Sequence, residues 1–233
     1  MKKLSLLFTP IRIGDMEVRN RIVMSPMSTN LGSAAGYVTA PLLRSFAARA
    51  RGGVGLIITG DITVDGQARY QMRSLGLFDD QFIPAMRELA SEVHRHGARI
   101  AAELMHPSFN APSALSGVQP VAASPIASRR FRELPRELSV EEIGEIVRKF
   151  AAAARRAKEA GCDAVQLHCA HSHHLLGSFL SPLHNKRTDE YGGDIHGRLR
   201  LPLEVIRSVR TAVGPGFPIL LRISGAELEP GGR

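Results

Sequence analysis

Cysteine and long apolar runs are scarce in this sequence. Its two cysteines, Cys162 and Cys169, lie near the two ends of a predicted strand and form no CxxC pair, so we expect two packed thiols rather than a disulfide framework. No apolar run reaches the roughly 18 residues that a bilayer span requires. The opening "MKKLSLLFTP" is too short in its apolar part, and lacks a small-residue cleavage site, for a signal peptide. These absences exclude a membrane-spanning protein and favour the cytoplasm.

A concentrated basic surface is also missing. The formal net charge is +8, but the lysines and arginines are spread over many predicted helices. No basic stripe carries the interleaved aromatic residues on which single-stranded nucleic acid stacks. We therefore expect no nucleic-acid partner.

What the sequence does contain is an alternation of apolar runs and amphipathic segments. It follows a short predicted hairpin with its turn at Gly14 and Asp15. Buried strands are predicted at 21–27, 54–60, 98–106, 162–170 and 217–224, and helices at 39–53, 81–97, 139–160 and 198–213. The expected helix caps are Thr39, Asp80 and a capping box of Ser139 with Glu142. Strands that are apolar throughout predict a parallel sheet covered on both faces, and the alternation predicts an α/β fold.

The glycine-rich signatures of nucleotide-binding α/β folds are absent. No GxGxxG follows the first strand and no GxxxxGK[ST] occurs, so neither the dinucleotide-binding fold nor the P-loop fold is predicted. Polar residues collect instead just after the strands, in "SPMST", "TGD", "ELMH", "HCAHSHH" and "RIS". A (β/α)8 TIM barrel keeps its active site at this end of its strands, and that architecture is our prediction.

These segments resemble a known family. "NRIVMSPMST", "GLIITGD", "ELMH", "HCAH" and above all "FLSPLHNKRTDEYGGDIHGRLRLPLEVIRSVR" are similar to the old yellow enzyme family of FMN-dependent NADH:flavin oxidoreductases. Its branch of 2,4-dienoyl-CoA reductases and bile-acid-type enzymes looks nearest. The resemblance runs from about Leu7 to the last residue. It implies that NADH or NADPH reduces FMN, which then reduces an alkene conjugated to a carbonyl, such as an enone or an enoyl thioester.

The resemblance also implies which residues meet the flavin. The family segment that lies along the isoalloxazine is matched by Ser25, Pro26, Met27 and Ser28. Where the family has a small residue against the ring, this chain has Gly60 and Asp61. Glu103 falls where the family usually has a glutamine at the pyrimidine edge, and Arg222 matches the arginine near flavin N1. A fixed guanidinium there would stabilise the negative charge of reduced flavin.

Four histidines follow the fourth strand. His168 and His171 match the family's pair that donates hydrogen bonds to the substrate carbonyl, as an oxyanion hole does. His173 stands where the family has a tyrosine as proton donor, and we expect it to be the acid or else a spectator or a substrate contact. The resemblance assigns no role to His174. As an alternative, His168, His171 and His173 offer three nitrogens to zinc, but the loop holds no carboxylate to orient them, and we predict no metal.

Several positions depart from the family pattern. Glu103 puts an ionisable group in place of an amide, which disfavours reduced flavin unless the carboxyl is protonated. Asp61 is larger and charged, Ser28 replaces a redox-tuning cysteine, and "HPSF" replaces the usual "HxGR" after the third strand.

The resemblance leaves the barrel incomplete. Residues 1–233 are expected to form the N-terminal part of a single FMN-binding barrel of about five strand–helix units, without strands six to eight. The loops that hold the FMN phosphate, and any iron–sulfur cluster, would belong to the missing part. The chain is then either a piece of an enzyme or a catalytically silent remnant that needs a second copy or another chain to complete the barrel.

Overall fold

The computed structural model describes residues 5–232, which form an α/β fold with eleven strands and six α-helices. The strands are β1 (Ile11–Ile13), β2 (Met16–Val18), β3 (Val23–Met24), β4 (Leu56–Ile58), β5 (Ile62–Thr63), β6 (Leu75–Gly76), β7 (Arg99–Met105), β8 (Val121–Ala122), β9 (Arg136–Glu137), β10 (Ala164–Cys169) and β11 (Ile219–Ile223). The helices are α1 (Ala40–Arg51), α2 (Ile83–Arg95), α3 (Ser113–Ser116), α4 (Val140–Glu159), α5 (Leu175–Leu180) and α6 (Ile195–Val213).

The main sheet is parallel, as the apolar strands predicted. Its strand order is β11-β10-β7-β4-β3, and the short strands β5 and β6 extend the sheet beside β7. The helices α1, α2, α4 and α6 each connect one main strand to the next. This sequential parallel order is that of part of a (β/α)8 barrel, so the predicted architecture is confirmed, and all five main strands end at one rim.

The helix boundaries follow the predicted caps with one exception. Thr39 caps α1, and Ser139 with Glu142 forms the expected capping box on α4. The prediction for Asp80 was wrong, because Asp79 caps a short 3-10 turn (Asp80–Phe82) from which α2 continues. The carboxylate of Asp80 instead accepts hydrogen bonds from two arginines of α4.

Local patterns missed the short elements and the burial of the last strand. The helix α5 and the pairs β5–β6 and β8–β9 lie in stretches that we expected to be loops, and α6 begins at Ile195 rather than at 198. The strand β11 is covered incompletely, since Leu221 is 48% exposed and Ile223 is 64% exposed. Burial on both faces was therefore correct for β4 and β10 but wrong for β11 and for β3, where Val23 is 45% exposed.

Other sequence predictions concern the hairpin, the cysteines and the membrane. The strands β1 and β2 pair antiparallel around Gly14, whose positive φ of 56° suits a glycine in a tight turn. Both cysteines are buried, as expected of packed thiols. Within residues 5–232, no helix combines the length and the apolar character that a bilayer span requires.

Candidate active site

Strand register brings the predicted site residues of three strands together. In β10, His168 lies opposite Arg222 of β11, and Gln166 lies opposite Glu103 of β7. Glu103 is 1% exposed and His168 is 2% exposed. Arg222 Nη1 donates a hydrogen bond to Glu103 Oε1 at 3.4 Å. A guanidinium, a carboxyl and an imidazole therefore meet at the carboxyl rim of the sheet.

A second wall comes from the segment that follows β3. Ser28 Oγ donates a hydrogen bond to Asp61 Oδ2. Gly60 lies so close to this segment that an added Cβ would stand 2.2 Å from the carbonyl oxygen of Met27. Ser25 and Pro26 precede this contact, Ser25 exposed and Pro26 half-buried. The segment is thus held against the end of β4 by a contact that only glycine permits.

Two carboxyl groups in the site have raised pKa values. Burial, with Asp61 as a second cause, raises the pKa of Glu103 to about 8, although Arg222 opposes the shift. Burial likewise raises the pKa of Asp61, against the hydrogen bond from Ser28 and the charge of Arg222. At pH 7 Glu103 is mainly protonated, so the departure from glutamine leaves a neutral group there.

The histidine loop, residues 168–174, gathers four imidazoles. His168 Nε2 and His174 Nδ1 share a hydrogen bond of 3.0 Å. The ring of His171 lies 5.3 Å from that of His168 and stacks on that of His173 at 5.2 Å, measured between centroids. His171 adopts a positive φ of 55°, and its backbone N–H donates to Ser224 Oγ at 3.0 Å. The loop therefore presents its side chains from a fixed turn above β10.

Burial keeps these imidazoles neutral. It lowers the pKa of His168 to about 3, with Arg222 as the next cause, and lowers the pKa of His173 to about 4. Burial and then the charge of Arg222 also lower the pKa of His171. Burial lowers the pKa of His174 well below its usual range. Neutral imidazole carries one N–H, so each ring is able to donate one hydrogen bond.

The zinc alternative brings different residues together from those proposed. Among residues 5–232, the possible metal-ligand atoms that converge belong to Asp61, Glu103 and His168 and lie within 4.8 Å of one another. The three histidines proposed from the sequence do not form such a set within these residues. Arg222 faces this set and hydrogen-bonds to one of its members, which disfavours a cation there. The prediction of no metal stays a prediction.

Sequence reasoning missed Tyr70 and Arg130 at the site, and it gave no role to a third residue, His174. His174 is 3% exposed, and Tyr70 packs edge-on against its ring at 5.5 Å between centroids. Arg130, from the long excursion after β7, donates to Tyr70 Oη at 2.8 Å. No motif marks Tyr70 or Arg130, because they lie in loops and reach the site only through tertiary packing.

The family model for NADH:flavin oxidoreductases and NADH oxidases matches residues 6–232. The chain belongs to this family. The resemblance seen in the sequence is thereby confirmed, while the branch nearest the 2,4-dienoyl-CoA reductases stays a prediction.

Two curated relatives and one solved structure show how much of such proteins this family member spans. A metal reductase from Desulforamulus reducens is 48% identical over 98% of this chain and 34% of its own length. An NADPH dehydrogenase from a Geobacillus species is 39% identical over 98% of this chain and 66% of its own length. A 2-naphthoyl-CoA reductase in complex with 2-naphthoyl-CoA superposes with a TM-score of 0.94 at 26% identity, over 98% of this chain and 37% of the other. The chain thus spans between a third and two thirds of these proteins.

The carboxyl of Glu103 predicts how stability varies with pH. Its pKa is about 8 in the folded state against an ordinary value of 4.5. Between these values the folded state binds more protons than the unfolded state, so the free energy of unfolding falls as pH rises. Below about pH 6.5 the histidines have the opposite effect, and the free energy of unfolding rises with pH. Their pKa values are lowered in the folded state, so the unfolded state binds more protons there. Stability is therefore expected to peak near pH 6.5.

The substitution Glu103→Gln should remove the decrease in unfolding free energy that is expected above pH 6.5. Between pH 6.5 and 8 the ionisation of Glu103 is expected to cost the wild-type chain about 2 kcal/mol of unfolding free energy, and this loss should vanish in the variant. Urea denaturation at a series of pH values measures it. Glu88→Gln, which changes an exposed glutamate of α2, is the matched control and should keep the wild-type profile. An alkaline decline that persists unchanged in Glu103→Gln would contradict the assignment.

Proposed function

We propose that the chain carries the flavin-facing part of an FMN-dependent oxidoreductase, which uses NADH or NADPH to reduce C=C bonds conjugated to a carbonyl or a thioester. The observation that carries this proposal is the register of β10 and β11, which sets Arg222 beside His168 at the carboxyl rim of the sheet. A cation for a reduced ring and a hydrogen-bond donor for a substrate oxygen then stand side by side.

The polar groups of the site fit the pyrimidine side of an isoalloxazine. That ring edge offers one N–H donor between two carbonyl acceptors. Gln166 Oε1 is a buried acceptor, and Glu103 Oε2 is a buried donor when the carboxyl is neutral, since Oε1 accepts from Arg222. Neither atom has a hydrogen-bond partner among residues 5–232, and Arg222 supplies further donors. Glu103, Gln166 and Arg222 would hold this edge, with the segment of Ser25 to Ser28 along the ring. FMN would supply hydride to the alkene after reduction by the nicotinamide.

The histidines would polarise the substrate. If His174 donates its Nδ1–H to His168 Nε2, the hydrogen of His168 lies on Nδ1, which is buried and has no partner within the described chain. That N–H is free to donate to a carbonyl oxygen, and His171, at 5.3 Å between ring centroids, supplies the second donor. His174 thereby acts as a positioning residue that fixes the tautomer of His168.

Two comparisons support the substrate class. The family model covers enzymes that pair NADH with flavin, and the superposed 2-naphthoyl-CoA reductase holds an aromatic thioester. A neutral site with paired N–H donors suits the carbonyl oxygen of such a thioester or of an enone, because charge develops on that oxygen as hydride arrives.

Anaerobic mixing experiments test this function. The chain is loaded with FMN, reduced with NADH or NADPH, and then mixed with 2-cyclohexenone or crotonyl-CoA. The flavin colour should bleach with the nicotinamide and return with the alkene, and the saturated product should appear in equal amount. Flavin that is reduced but is not reoxidised by either alkene would contradict the proposed substrate class.

The exposed face of β11 favours a second function. Leu221 and Ile223 present apolar surface that a covering element would bury. The chain would then act only as part of an assembly with a second copy or another chain. A purified chain that stays colourless after FMN titration, and that takes up FMN only when such a partner is added, would support this function over the first.

A further inference from the structure

Tyr70 contacts the histidine loop from outside it. It belongs to the connection between β5 and β6, and its ring meets that of His174 edge-on at 5.5 Å between centroids. His174 in turn hydrogen-bonds to His168. Tyr70 is thus one residue removed from the imidazole proposed to hold the substrate oxygen.

Arg130 fixes the direction of the tyrosine hydroxyl. Its Nη1 donates to Tyr70 Oη at 2.8 Å, and its guanidinium carbon lies 5.4 Å from the centroid of the tyrosine ring. A guanidinium has donors only, so Tyr70 Oη must be the acceptor in this bond. Within the described chain, the hydroxyl hydrogen itself has no acceptor. It is therefore free to be donated away from the arginine.

That hydrogen has an open space to enter. Tyr70, Arg130 and His173 line one cavity of about 290 Å³, which also reaches Ser172 and His184 at the foot of the histidine loop. The cavity is large enough to admit part of a substrate or several waters. Tyr70 and His173 are thus two groups with a transferable proton in one cavity, and their rings contact those of His174 and His171 respectively.

We infer that Tyr70, held by Arg130, is the proton donor in alkene reduction, an inference that rests on the function proposed above. The C=C π bond breaks while two C–H bonds form. Bound FMN, once reduced, would supply the hydride for the β-carbon. The proton of Tyr70 Oη goes to the α-carbon, and the electron pair of the O–H bond stays on the phenolate oxygen. Arg130 stabilises that phenolate through a charge-assisted hydrogen bond, and water from the cavity returns the proton.

His173 is less suited to this step. Its neighbours are His171, on which it stacks, together with His174, His184 and the cation of Arg130. Burial first, and then His171, His184 and Arg130, lower the pKa of His173 to about 4, so that near neutral pH only about one molecule in a thousand carries the extra proton.

The two half-reactions separate this role from a structural one. In FMN-loaded Tyr70→Phe, reduction by NADH should keep its rate within about twofold, whereas reoxidation by 2-cyclohexenone should slow by about 10² to 10³. Tyr37→Phe is the matched control, because its hydroxyl bonds to Gln81 outside the site, and both of its rates should stay unchanged. Equal slowing of both half-reactions in Tyr70→Phe would overturn the assignment.

The pH profile distinguishes the two donors. With His173 as donor, the reoxidation rate should fall about tenfold for each pH unit above 4, and the inference expects no such fall between pH 5 and pH 8. A continuous fall over that range would overturn the role of Tyr70.

A third measurement requires no turnover. Tyrosine labelled with ¹³C at Cζ gives three signals, of which Tyr70→Phe identifies one. With FMN present, addition of cyclohexanone should move the signal of Tyr70 and leave those of the other two tyrosines in place. A Tyr70 signal that does not move would overturn the inference. If NADH fails to reduce the wild-type flavin, the proposed function fails separately, and the labelled spectra still decide whether the hydroxyl of Tyr70 faces a bound ketone.

Discussion

Arg187→Met is expected to destabilise the chain by about 3 to 5 kcal/mol, the range for removing one member of a buried charged network. Arg187 is 5% exposed, and its Nη1 donates to the carbonyl oxygens of Leu138 at 2.7 Å and Ala123 at 3.2 Å. Its Nε donates to Asp189 Oδ1 at 2.9 Å. The substitution leaves the two carbonyl groups without this donor and removes the guanidinium from Asp189, which keeps the backbone N–H of Tyr191 as a donor. Each lost hydrogen bond of a buried group is costly.

Urea denaturation followed by circular dichroism measures this loss. Arg200→Met is the matched control, since Arg200 is half-exposed on α6 and stands 3.9 Å from Glu204, a surface pair expected to contribute less than about 1 kcal/mol. If the two variants unfolded at similar urea concentrations, the hydrogen bonds of Arg187 would not contribute the predicted stability.

Gly60→Ala is expected to disrupt the flavin-facing wall. Its new Cβ would stand 2.2 Å from the carbonyl oxygen and 2.7 Å from the carbonyl carbon of Met27, both backbone atoms that cannot rotate away. The segment of Ser25 to Ser28 must shift, at a cost of about 3 kcal/mol. FMN should bind at least about tenfold more weakly, because this segment is proposed to lie along the ring.

Gly225→Ala provides the control for this substitution. An added Cβ at Gly225 would meet no atom within 4 Å, and its φ is not positive, so stability and FMN binding should match the wild type. Thermal unfolding and the quenching of flavin fluorescence measure the two effects. A Gly60→Ala chain that unfolds and binds FMN as the wild type does would refute the contact between Gly60 and Met27.

The main strands and helices follow from local pattern, and the short elements do not. The capping box of Ser139 and Glu142 and the apolar run of β10 carry their own signals, and both elements form where predicted. The helix α5 has no such signal. It exists because Gly177 lets the helix approach the histidine loop, where an added Cβ would stand 2.4 Å from the carbonyl oxygen of His171. This contact depends on tertiary packing, which no local window contains.

The "NKRTDEYGG" block shows the same limit for the site. It is the most specific sign of the family in the sequence, yet its arginine binds carbonyl groups 49 and 64 residues away rather than the candidate active site. Asn185 likewise donates to the backbone carbonyls of Phe179 and Tyr191. A motif indicates the family directly. The structural role of each of its residues depends on contacts that form only in the folded chain.

The candidate site was predictable where residues follow strands in register. His168, Glu103 and Arg222 end neighbouring strands, so their convergence follows from a parallel sheet. Tyr70 and Arg130 come from a short connection and a long excursion, whose paths no periodicity defines. The neutral state of Glu103 was equally hidden, because burial by the whole fold raises its pKa.

Titration of the purified chain with FMN tests the central claim most directly. If the rims of β3, β4, β7, β10 and β11 form a flavin site, the chain should quench the fluorescence of one FMN per chain and release it unmodified on denaturation, and Arg222→Met should weaken binding by about tenfold or more. FMN whose fluorescence and visible absorption are the same with and without the chain would contradict the account.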